Sequence, residues 1–90
     1  MTTQGLLEAA DVLDELVSGG KPERARLLSG ALALEAFYRY VDADQNVLAA
    51  GVCLRSLAVD GADGLTAHDR SHASKLASAV RQAALTRAYQ

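Results

Sequence analysis

The chain has 90 residues and a formal net charge of −2, the size of a single domain. Alanine supplies 18 residues and leucine 14, there is no Ile or Trp, and only four residues are aromatic. Strong helix formers dominate, which argues against an all-β chain, and the half-apolar composition argues against disorder. The nine Lys and Arg are scattered between Lys21 and Arg87 and form no basic stripe of the kind that binds nucleic acid.

The one cysteine, Cys53, has no internal disulfide partner and implies no oxidising compartment. The opening Met1-Thr2-Thr3-Gln4-Gly5 lacks the positive charge of a signal peptide. No apolar run approaches the roughly 18 residues of a membrane span. These features predict a cytoplasmic protein with no nucleic-acid and no membrane partner. A chain this small, rich in short Ala side chains, buries little area per residue. A homodimer or a protein partner is therefore expected to supply the missing burial.

Four helices are predicted. The first runs from Gln4 to Ser18, with Thr2 or Thr3 as N-cap and an apolar stripe of Leu6, Ala10, Leu13, Leu16 and Val17; Gly19-Gly20 ends it. The second starts at Pro22, a residue suited to a first helical turn, and continues to Val41. On a helical projection Leu27, Ala31, Leu34, Tyr38 and Val41 share an arc of about 80°. Leu28 and Leu32 fall beyond one edge of it and Phe37 beyond the other. That width predicts a central helix.

Asp44 is the expected N-cap of a third helix, Gln45–Ala58. One apolar line there is Val47, Gly51, Leu54 and Ala58; another is Leu48, Val52 and Val59. Gly51 costs about 1 kcal/mol against Ala inside a helix, a cost that a close helix crossing would offset. The second and third helices should form an antiparallel hairpin. After the loop Asp60–Gly64, Thr66-Ala67-His68-Asp69 has the pattern of a capping box. It opens a fourth helix, Ala67–Arg87, whose stripe is Ala73, Leu76, Ala77, Val80, Ala83 and Ala84. The expected fold is an all-α four-helix bundle of one domain.

Few constellations carry chemistry. Asp42-x-Asp44-x-Asn46 copies the first three ligand positions of a calcium loop, but Val47 stands where glycine is needed and Cys53 where the bidentate Glu belongs. His68 and His72, four apart, share a helix face as metal pairs do. A third ligand would have to come from Cys53, Glu35 or another subunit, and two solvated histidines are the simpler expectation. Glu35 sits among apolar positions and must be paired or neutral; Arg39, one turn on, and Arg55, across the hairpin, are its candidate partners. No serine lies in a motif with a base and an orienting acid, and a mid-helix Cys53 behaves as a small hydrophobe. No cofactor and no enzymatic activity are expected.

In order and spacing, four stretches resemble the DUF4259 family of small bacterial helical proteins without an assigned function. They are Asp11-Val12-Leu13-Asp14-Glu15-Leu16, Glu23-Arg24-Ala25-Arg26-Leu27-Leu28 with Ala31-Leu32, Tyr40-Val41-Asp42-Ala43-Asp44, and Leu48-Ala49-Ala50-Gly51-Val52. The resemblance covers roughly residues 8–60. It implies packed helices and no mechanism, so it brings no site residues.

The leading expectation is a small acidic interaction module, immunity-like or regulatory, with Leu28, Leu32, Glu35, Phe37 and Arg39 as interface candidates. The alternative is a metal- or ligand-responsive helical regulator built on His68 and His72.

Overall fold

The computed structural model describes residues 3–40 and 45–88. They form four helices, α1 (Thr3–Val17), α2 (Arg24–Tyr40), α3 (Gln45–Asp60) and α4 (Ala67–Ala88). The Asp42 and Asp44 positions of the calcium-like stretch, the Asp44 cap and Thr2 lie outside the described residues.

Local chemistry sets the ends. After α1, the Gly20 amide donates to the Glu15 carbonyl at 2.8 Å and the Gly19 amide to Leu16 at 3.2 Å. Gly19 takes φ +88°. This is the paired bond pattern that terminates a helix through a left-handed residue. The start of α2 is two residues later than Pro22. The Glu23 carbonyl accepts the first bonds, from Arg26 and Leu27, so Pro22 lies just outside the first turn, where it is buried. Gly61, at φ +88°, closes α3 by donating to the Leu57 carbonyl at 2.7 Å.

Each helix packs along two neighbours, α1 against α2 and α4, and α3 against α2 and α4. The closest pairs are α1 with α4 and α2 with α3. Residue pairings show neighbouring helices running antiparallel, α4 included, since Arg81 reaches Asp11 while Ala73 lies near Leu16. Gly5 approaches Ala33 while Ala9 approaches Gly30; Tyr38 meets Gln45 while Gly30 meets Leu54. The result is an up-down-up-down bundle.

All four helices contribute to one core. Leu6, Leu13 and Leu16 of α1, Leu34 of α2, Val47 and Leu54 of α3, and Leu76 and Val80 of α4 are its largest fully buried side chains. Arg81 of α4 donates to Asp11 at 3.1 Å and to Asp14, tying α4 to α1. At one end of the bundle Lys21 pairs with Asp63 at 2.6 Å, joining the two loops there. No helix among the described residues is long and apolar enough to cross a membrane.

The apolar width of α2 is only partly absorbed by this core. Phe37, expected at a margin, is buried, and so is Gly30, whereas Leu32 on the opposite edge is 57% exposed. Gly30 leaves room for Leu54 of α3, whose Cδ1 stands 2.8 Å from where a Cβ would be, while Ala9 of α1 lies at an ordinary contact distance of 3.5 Å, and α2 turns its Gly30–Phe37 edge toward α1. On the other edge Leu28 is half-buried against the core and Leu32 is left outside.

Candidate interaction face on the α2–α3 hairpin

The half-buried and exposed residues of this side are ordered. On α2, Leu28, Leu32, Glu35 and Arg39 follow at spacings of four, three and four, which places them in one line along the helix. On α3, Leu48, Val52, Arg55 and Val59 repeat the same spacing. The two lines border each other, because Glu35 and Arg55 join them. The Arg55 guanidinium donates from Nε to Glu35 Oε1 and from Nη2 to Oε2, both at 2.7 Å. This is the two-bond fork that fixes geometry as well as charge.

Electrostatics follow from that contact. The Arg55 bond holds the Glu35 carboxyl below the usual carboxylate range, with a lesser contribution from the field of Arg39, and Glu35 raises the Arg55 guanidinium in return. Of the Glu35–Arg39–Arg55 cluster expected from sequence, the direct bonds are those between Glu35 and Arg55.

Around this pair the face is apolar. Val52 is 55% exposed and Val59 73%, while Leu28 and Leu48 are half-buried. An exposed apolar row beside a satisfied ion pair has the composition of a contact surface rather than of a solvated helix. Among the interface candidates read from sequence, Leu28, Leu32, Glu35 and Arg39 share this face. Phe37 does not: it belongs to the core, for the packing reason given above. Sequence reasoning did not assign Leu48, Val52 and Val59 to the face, although their common line on the third helix was the available signal.

The histidines lie on α4, and His72 reaches the edge of this face. His68 and His72 are both exposed on the first turns of α4. His72 borders a shallow groove between α3 and α4 with Leu48, Ala49, Val52 and Cys53. The thiol of Cys53 is pushed up by burial, then by the nearby Asp69 charge. Glu35, one suggested third ligand, is engaged by Arg55. Among the described residues no three His, Cys, Asp or Glu side chains come together as a metal site.

Comparison of the chain with protein-family models, with curated proteins and with solved structures finds no significant match.

Proposed function

We propose that the protein is a small non-enzymatic interaction module of the bacterial cytoplasm, immunity-like or regulatory, whose working surface is the outer face of the α2–α3 hairpin. The observation that carries this reading is the alignment of Leu32, Val52 and Val59, all more than half exposed, around the closed Glu35–Arg55 pair. Exposed large apolar side chains scattered singly need no explanation, but a grouped set on one face marks a binding surface. The two charges neutralise each other within the chain, so covering the pair by a partner carries less desolvation cost than burying a lone charge.

The test is the size of the protein in extract from cells that produce it. Wild type should elute above its monomer mass. The double variant Leu32→Glu with Val52→Glu should elute as monomer and keep the wild-type melting temperature, because both positions face solvent. A wild-type protein that elutes as monomer in extract defeats the reading.

A further inference from the structure

We infer that the occupant of this face is a second copy of the same chain, docked about a two-fold axis parallel to the helices, with Glu35 of each copy facing Arg55 of the other. This rests on the reading that the outer face is an interface, and it names the partner.

Self-complementarity is the argument. Glu35 and Arg55 lie side by side at one level of the hairpin, one on each helix. A two-fold axis running along the bundle sets α2 over α3 of the second copy and keeps that level. Each Glu35 then meets an Arg55, and the four charges close into an alternating ring. The same operation brings Leu28, seven residues before Glu35 on α2, toward Val59, four residues after Arg55 on the antiparallel α3, and lays the stem of Arg39 toward Leu48. Long basic side chains cover apolar surface with their methylenes in this way.

The competing two-fold axis, across the helices, is disfavoured by the same residues. Placed at the level of the ion pair, it sets Glu35 against Glu35 and Arg55 against Arg55. Slid along to bring Glu35 against Arg39, it carries Leu28 and Val59 past the ends of the helices they should meet. Like charges opposed in an interface are costly, and apolar side chains left uncovered contribute nothing.

The area places the contact at the small end of specific interfaces. Helices of 17 and 16 residues offer a face about 25 Å long and 20 Å wide, so two copies cover roughly 1,000 Å² in total, the lower bound for a specific contact. Association is expected at micromolar concentration.

The experiment is sedimentation of the purified full chain from about 1 to 200 μM, a range set by that affinity. Wild type is expected to reach twice its monomer mass, and Leu32→Glu with Val52→Glu to remain monomeric. The swapped chain Glu35→Arg with Arg55→Glu keeps the internal pair and the ring, so it should also dimerise. Mixed with wild type it should form mixed dimers at least about 100-fold more weakly, since every charge then meets its like. A charge-neutral check uses chains carrying Cys53→Ala: Leu28→Cys in one should cross-link to Val59→Cys in another, and Leu28→Cys should not cross-link to itself. Free mixing of swapped and wild-type chains overturns the ring, as does Leu28→Cys self-cross-linking; if the swapped chain does not fold, the cross-link result alone decides. Purified wild type that stays monomeric at 200 μM while running large in extract overturns the homodimer and leaves the interaction module standing.

Discussion

Thr66 and Asp69 close the first turn of α4 on itself. The Asp69 amide donates to Thr66 Oγ1 at 3.1 Å, and the Thr66 amide donates to Asp69 Oδ2 at 2.9 Å. Two amides that the helix cannot pair are thereby satisfied by a reciprocal bond between neighbours in sequence. Replacing Thr66 by Ala removes the cap oxygen, and the expected loss is about 1 kcal/mol, the usual cost of an N-cap substitution. Thr66→Ser, which keeps the hydroxyl, should restore most of it in urea unfolding. Equal losses for both variants would show that the cap bond contributes nothing.

The acid limb of stability should carry three carboxylates, Glu35, Asp69 and Asp63, the last held down by its bond to Lys21. The Thr66 amide bond, then its hydroxyl, hold Asp69 below the usual carboxylate range, and the Arg55 bond does the same for Glu35. In each case the folded-state pKa lies below the unfolded one, so the folded chain binds protons less readily. The stabilisation is then present above the unfolded carboxylate range and is lost as pH falls through the depressed folded values. Wild type should lose stability steadily on acidification, and Glu35→Gln should show a shallower decline, the two curves converging at the acid end. Parallel curves over the whole range would mean that the Glu35–Arg55 pair is not maintained in solution.

What could be read from sequence was what is local. Gly19-Gly20 and Thr66-x-x-Asp69 carry their helix ends within a few residues, and the structure places both as expected. The inward stripes of α1 and α4 also follow from spacing, because each has one apolar line to offer. Helix α2 has apolar residues on two edges, and projection alone does not choose between Phe37 and Leu28. The choice depends on Gly30 meeting α1, a contact between residues 21 apart in sequence, Ala9 and Gly30. The same limit applies to the candidate face. Both lines were visible helix by helix, but their adjacency depends on the register in which Glu35 meets Arg55.

Burial separates two leucines that composition treats alike. Leu34 is fully buried, on the inward side of α2, whereas Leu85 of α4 is 52% exposed. Truncating Leu34 to Ala should cost about 2–5 kcal/mol, the range for a core leucine that leaves a cavity. Leu85→Ala should cost less than about 1 kcal/mol. Thermal melts of the two variants decide the matter: a loss of that size is a large share of the roughly 5–15 kcal/mol a small domain holds, so Leu34→Ala should melt far below wild type while Leu85→Ala melts close to it. The reverse order would place the α2 and α4 faces the wrong way round.

Two helical glycines should respond to Ala with opposite signs. A Cβ on Gly51 would meet Leu34 Cβ at 3.4 Å, Glu35 Cγ at 3.6 Å and the Ala31 carbonyl oxygen at 3.7 Å, all ordinary contact distances. The sequence suggested that a close crossing justifies this glycine, but the crossing has room for a methyl group. Gly51→Ala therefore removes the helix penalty of glycine without crowding, and should stabilise by roughly 0.5–1 kcal/mol. On Gly30 the same methyl would stand 2.8 Å from Leu54 Cδ1 and 3.5 Å from both Cα and Cβ of Ala9. Leu54 is fully buried, so its displacement must be shared with the packed residues around it. Overpacking of that kind costs about 1–3 kcal/mol, which matches or exceeds the helix gain of about 1 kcal/mol. Urea unfolding should rank the proteins Gly51→Ala, wild type, Gly30→Ala in descending midpoint, and Gly30→Ala combined with Leu54→Val should recover part of the loss by removing the atom in the way. A Gly30→Ala variant as stable as Gly51→Ala would mean that Leu54 is not held against Gly30 as the 2.8 Å approach requires.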